Sequence, residues 1–277
     1  MKKIVIFYFS GTGNTWWVSE KLAELLSNDQ TEAEAVSIET LTPEKADELV
    51  ASAHLCGFGY PIYGSDIPLI MIDFIMSLSP VVKKEAFVYC TQWKFSGDGA
   101  RAGWEFLADR GFSVRWGEHF FMPNNVCITA FAFLPYTNNK FLIRKRLKKT
   151  EQKIVQFRDR IETNKNHFTG FNNVSMALGS IQRVPFRKTI HKFRDLISVD
   201  EKKCIDCGEC VELCPSDNLY YDDACGGVIK TRGNCVICLR CYNFCPVSAI
   251  KCMELSHGIR KKPYRGPVES FNPVLLR

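Results

Sequence analysis

Apolar and polar positions in the first 116 residues alternate between two rhythms. KIVIFYF, residues 3–9, is a continuous apolar run of the kind that parallel strands buried on both faces show. Residues 14–27 carry apolar side chains at helical spacing, and residues 33–38 are strand-like again. Thr42-Pro43-Glu44 opens a second helix, with a hydroxyl at the cap and proline just inside. Residues 54–59, 86–90 and a stretch begun by Gly111-Phe112 read as strands, and residues 68–78 and 98–110 as helices. This alternation predicts an α/β doubly wound parallel sheet with helices on both faces. Residues 117–137 form an aromatic-rich connection. A long helix is expected over 138–165, where Ile143, Leu147, Ile154, Phe157 and Ile161 share one face and lysines and arginines the other. Residues 166–198 pattern weakly. Beyond Val199 the chain turns to cysteine, glycine and proline, which places a domain boundary near 195.

The first strand ends in Ser10-Gly11-Thr12-Gly13-Asn14-Thr15, with no lysine or arginine. A nucleotide P-loop needs a Gly-Lys-Ser/Thr ending, which is missing, and a dinucleotide fingerprint needs a third glycine where Trp16 stands. Ser10, Thr12, Gly13 and Thr15 instead match S/T-x-T-G-x-T, the phosphate loop of flavodoxins, position by position. Backbone amides at a helix N-terminus bind a monophosphate, hydroxyls add donors, and glycines let the backbone approach. Without a cation in the loop, the bound flavin is expected to keep a low potential. In the order 2-1-3-4-5 the flavin lies at the carboxyl ends of strands beside the switch point. That singles out Pro61, Ile62, Tyr63 and Gly64 after the third strand and Thr91, Gln92, Trp93 and Gly97 after the fourth. Tyr63 is the preferred stacking partner for the ring, ahead of Trp93, and the Gly64 carbonyl is a candidate to face the flavin N5.

Thirteen cysteines are unevenly placed: ten fall between Cys204 and Cys252. CIDCGECVELCP holds Cys204, Cys207, Cys210 and Cys214, and CVICLRCYNFCP holds Cys235, Cys238, Cys241 and Cys245. Both read C-x2-C-x2-C-x3-C-P, the run of bacterial two-cluster ferredoxins, in which the fourth cysteine ligates the other cluster. Zinc sites built from separated C-x2-C pairs explain two such identical runs poorly. The resemblance, over residues ~199–255, implies one 4Fe-4S cluster on Cys204, Cys207, Cys210 and Cys245, and a second on Cys235, Cys238, Cys241 and Cys214. The segment between the runs is expected to be a hairpin turning at Gly226-Gly227. Cys56, Cys90, Cys127, Cys225 and Cys252 read as packing residues.

The formal charge of +6 invites a nucleic-acid reading. Two clusters at about −2 each and an FMN phosphate at about −2 would cancel it, so no nucleic acid is expected. No apolar stretch is long enough for a membrane span, and the start of the chain lacks a leader's cleavage site, so a cytoplasmic location is expected.

The whole chain resembles the fused flavodoxin–ferredoxin proteins of anaerobic bacteria, the EFR1-type ferredoxin family. The resemblance implies a flavodoxin-like FMN domain (1–165), a connector (166–195), a two-cluster ferredoxin domain (196–256) and a C-terminal arm (257–277). The function expected is electron transfer between FMN and two 4Fe-4S clusters in anaerobic metabolism, with a ferredoxin-type donor or an acceptor reductase as redox partner. The alternative is an FMN-dependent reductase of a small acceptor, fed by the clusters. No catalytic residue emerges: all five histidines read as structural or surface groups, His54 among them on a buried strand. Direction of flow and oligomeric state stay open.

Overall fold

The computed structural model describes residues 1–129, 139–222, 227–256 and 262–277. Five parallel strands carry the first half: β1 (Lys2–Tyr8), β2 (Thr31–Ser37), β3 (Leu55–Pro61), β4 (Lys84–Gln92) and β5 (Phe112–Phe121). Between them run α1 (Asn14–Leu26), α2 (Pro43–Ser52), α3 (Leu69–Ser77) and α4 (Gly99–Asp109), followed by α5 (Lys140–Glu162). The order β2-β1-β3-β4-β5 is the flavodoxin-like order, as expected, and a two-residue strand β6 (His167–Phe168) adds a sixth position beside β5. So short a strand leaves no periodic trace. It is held by tertiary bonds, Trp116 Nε1 donating to the Lys165 carbonyl at 2.8 Å and Arg115 Nε to Asn166 Oδ1 at 3.0 Å.

Alternation along β1 separates two cores. Ile4 and Ile6 face α1 and α5, joining Val18, Leu22, Leu147, Ile154, Phe157 and Ile161. Val5 and Phe7 face α2, α3 and α4, joining Leu49, Met71, Ile75 and Leu107. The apolar stripe on α5 thus covers one face of the sheet. Thr42 caps α2 as expected, its Oγ1 accepting from Lys45 N at 3.3 Å. His54 departs from expectation: it precedes β3 and is exposed, because pairing with β1 begins only at Leu55.

Residues 173–194, where the sequence patterns weakly, form one helix, α6 (Asn173–Arg194), with Pro185 inside it. Beyond it lie β7 (Ile197–Val199), α7 (Glu209–Glu212), β8 (Leu219–Asp222), β9 (Val228–Thr231), α8 (Arg240–Phe244) and β10 (Ile250–Cys252). β8 and β9 pair antiparallel as the expected hairpin, and β10 pairs antiparallel with β7. Gly226, Cys225 and His257 lie outside the described residues. No described helix is long and apolar enough to cross a membrane.

Candidate functional site

The loops after β1, β3 and β4 converge on a cavity of about 370 Å³. Of the fourteen residues singled out for flavin, Ser10, Gly11, Thr12, Asn14, Thr15, Pro61, Ile62, Tyr63, Gly64, Thr91, Gln92 and Trp93 line it. Gly13 and Gly97 do not. Gly13, at φ 92°, precedes α1, and a Cβ there would meet Phe271 and Pro267 at 2.9 Å. Gly97, at φ 61°, lies against Gly179 of α6. Both glycines therefore serve backbone approach, but to other parts of this chain.

The first turn of α1 presents its unpaired amides to the cavity. Around them the hydroxyls are pre-set. Asn125 Nδ2 donates to Thr12 Oγ1 at 2.8 Å, leaving the Thr12 hydroxyl proton to be donated elsewhere. Thr15 and Thr91 share a hydrogen bond at 2.8 Å, and Gly13 N donates to Ser10 Oγ at 3.2 Å. The Asn14 side chain is engaged structurally, donating to the Pro123 carbonyl at 3.0 Å and accepting from the Tyr264 hydroxyl at 2.7 Å.

Tyr63 and Asp66 close a tight turn through Gly64 and Ser65, both at positive φ (59° and 60°), the geometry of a type I′ turn. The Tyr63 hydroxyl is buried without a hydrogen-bond partner among the described residues, an orphan that a polar ligand in this cavity would satisfy. Burial, and after it the nearby Cys238, holds its phenol well above the ordinary range. The cavity thus brings together the hydroxyls of Ser10, Thr12, Thr15 and Thr91 with the rings of Tyr63 and Trp93, the Tyr63 hydroxyl lying against Gly11.

The rest of the wall comes partly from the 117–137 connection, which the sequence offers as a wall of a substrate site or as the contact between the two parts of the chain, and partly from residues that sequence reasoning did not reach. Met122, Pro123, Asn124 and Asn125 follow β5, Phe186 comes from α6, and Ile237, Cys238 and Leu239 come from the second cysteine run. α6 is pinned over the loops after β3 and β4 by Arg187 on Asp66 (2.6 and 2.9 Å), Arg183 on Asp98, and Ser65 Oγ on Gln182 Oε1 (2.6 Å). Phe186 packs on Gly64, where a side chain would collide with it. These residues carry no local pattern; only folding brings them to the cavity.

The eight cysteines of the two runs form two groups. The Cys210 thiol is pushed up to about 12 by burial first and then by Cys245, Cys204 and Cys207. Cys241 is held well above the ordinary thiol range by burial, then by Cys238, Cys235, Cys214 and Cys210. Each run thus has thiol neighbours in the other. Crowded, buried thiols are costly as thiolates unless a metal takes up their charge. No His, Cys, Asp and Glu triad among the described residues closes on a single ion. A cubane asks for something wider, one thiolate at each of four separate irons.

The backbone repeats between the runs. Asp206 and Gly208 in the first, and Ile237 and Leu239 in the second, occupy equivalent positions, all at positive φ (52°, 76°, 57° and 59°). Asn218 N donates to Cys214 Sγ at 3.2 Å, and Ala249 N donates to Cys245 Sγ at 3.1 Å, four residues on in each case. Positive φ is strained for isoleucine, so the second loop holds the cage geometry against its own side chains. The runs differ in exposure at their second cysteine: Cys207 is exposed, whereas Cys238 is buried.

Residues 197–220 match the family described as 4Fe-4S binding domain. A curated relative, the archaeal-type glutamate synthase (NADPH) of Dehalococcoides mccartyi, is 35% identical over 63 residues, which are 23% of this chain and 13% of that protein. The chain therefore spans only a small part of that relative's length. Among solved structures, a flavodoxin from the domain Archaea is 14% identical over 58% of this chain and 99% of its own, with a TM-score of 0.39. Megasphaera elsdenii flavodoxin in its two-electron reduced form is 25% identical over 44% of this chain and 90% of its own, with a TM-score of 0.38. The chain joins a flavodoxin-like sheet to a 4Fe-4S binding domain.

Proposed function

We propose that this chain is an electron-transfer iron–sulfur flavoprotein, with FMN in the cavity and two 4Fe-4S clusters on the crosswise cysteine sets. One observation carries the reading: Cys238, a ligand of one set, lines the same cavity as the phosphate loop and Tyr63. FMN accepts electrons in pairs and each cluster carries one, so a chain holding both converts between two-electron and one-electron chemistry.

The protein's part is placement. Ser10, Thr12 and the first turn of α1 would hold the phosphate, and Tyr63 and Trp93 the ring. Ile237, Leu239 and Met253 add apolar side chains to the cavity wall. Cys207, exposed, puts the other ligand set where a one-electron protein partner can reach it. The repeated backbone of the two runs supports a cluster in each. On resemblance, the protein belongs with the fused flavodoxin–ferredoxin proteins of anaerobes and acts in the cytoplasm.

Anaerobic purification followed by iron, sulfide and flavin analysis, then potentiometric titration, tests this. The expected result is about eight irons and one FMN per chain, with spectrally separate flavin and cluster reductions. Colourless protein without flavin or acid-labile sulfide would overturn it.

A further inference from the structure

The two cysteine runs share their cysteines and closing proline, and the residue before the third cysteine differs in the sign of its charge. The first run has Glu209, exposed; the second has Arg240, with no exposed surface. A buried guanidinium is retained only where every donor is met. Arg240 Nη1 and Nη2 fork onto the Glu39 carboxylate at 2.8 and 2.6 Å. Nη2 also donates to the Ser10 carbonyl at 2.8 Å, Nε to the Gly11 carbonyl at 3.2 Å, and Nη1 to the Leu213 carbonyl at 3.0 Å.

These contacts join two candidate sites. Ser10 and Gly11 belong to the phosphate loop. Leu213 precedes Cys214, and Arg240 itself stands between Cys238 and Cys241, so three ligands of one cysteine set flank this side chain or its acceptor. A planar trans peptide directs its C=O and the next residue's N–H to opposite sides. With the Ser10 and Gly11 carbonyls turned onto Arg240, the amides of Gly11 and Thr12, residues that line the cavity, face away from it. The loop contains no cation, but its anion-binding amides are aimed by one supplied from the ferredoxin half. The Cys238 carbonyl presses on the same loop: a Cβ on Gly11 would lie 2.6 Å from it.

We infer that Arg240 is a positioning residue that couples flavin binding to assembly of the neighbouring cluster. A formed cluster fixes the Cys238–Cys241 loop, the loop fixes Arg240, and Arg240 sets the amides that receive the phosphate. By linkage, bound FMN stabilises that cluster by the same factor. The inference rests on the FMN reading proposed above.

The test is an anaerobic FMN titration followed by quenching of flavin fluorescence, together with the rate of cluster loss to an iron chelator with and without FMN. Wild-type protein with reconstituted clusters is compared with the same protein stripped of iron, and with Arg240→Lys. Lysine keeps the charge and loses the fork. The double variant Arg240→Gln/Glu39→Gln removes both charges together and guards against a fold broken by one unpaired carboxylate. Circular dichroism and the cluster absorbance report that each variant is folded. Expected are an FMN Kd about tenfold or more weaker in the stripped protein and in both variants, and slower cluster loss when FMN is bound. Equal affinity in all forms overturns the coupling and leaves the FMN reading standing. Failure of the cluster-loaded wild type to bind FMN overturns that reading and the coupling with it.

Discussion

At the scale of single residues, the cysteine assignments make the sharpest prediction. Cys245 lies in the second run, but its thiol neighbours Cys210 of the first. If two clusters are bound as proposed, Cys245→Ala should therefore remove the one on Cys204, Cys207 and Cys210 and spare the one beside the cavity. Iron would fall from about eight to about four per chain, with one reduced-cluster signal lost by electron paramagnetic resonance. If the surviving cluster is the one supported by the first run, the crosswise assignment is wrong. The cysteines were legible because the ligand spacing is local and repeated. Ser10, Thr12 and Thr15 were legible for the same reason, being consecutive on a loop whose role is set by its own backbone. Phe186 and Arg240 were not. Each reaches the site from a distant part of the chain, and neither interrupts the pattern of its own helix.

At the scale of elements, α5 and β5 repay separate tests. The apolar stripe on α5 gave its buried face correctly because a long amphipathic helix has only one way to face a sheet. Phe157 has no exposed surface and meets Phe87 and Phe120 edge-on at 5.8 Å. Phe157→Ala should cost ~3–5 kcal/mol by denaturant unfolding, as deletion of a core aromatic does. A loss under ~1 kcal/mol would mean that α5 does not seal the sheet. α6 shows the reverse case: its contacts are polar clasps from Arg183 and Arg187 rather than a continuous stripe, so periodicity missed it.

On β5, burial pushes His119 down to about 4, against the partly offsetting pull of Glu118 and Asp98. Its Nε2 accepts from Ala100 N at 3.1 Å, a bond that needs the neutral ring. The unfolded chain takes up this proton near pH 6.5 and the folded chain only near 4. The contribution to stability is complete above 6.5 and is lost as pH falls through that window. From pH 7 to 5.5 the loss should be about 1 kcal/mol, absent in His119→Asn. Equal slopes in the two proteins would show that His119 charges freely in the fold. The Glu118 carboxyl, kept low by Lys153 despite its burial, acts in a separate window at lower pH.

At the scale of the molecule, the fold class followed from the alternation of elements, but the way the halves meet did not. Charge illustrates the difference. The sequence carries +6 and a pI near 8.6, a surplus that suggests an anionic partner. If the proposed cofactors are bound, they absorb nearly all of it, so the loaded protein should focus anaerobically near neutrality and the stripped protein near 8.6. Identical focusing would exclude cofactors of that charge. What remains locally basic is α5, where Lys140 and Arg144 reach Glu269 at 2.9 and 3.8 Å. Exposed pairs of this kind contribute little to stability.

The left-handed backbone at Ile237 and Leu239 has a consequence for stability. An L side chain adopts that conformation at a cost, so Leu239→Gly should unfold more slowly or at higher denaturant than the parent, and an unchanged midpoint would show that the surroundings have already absorbed the strain.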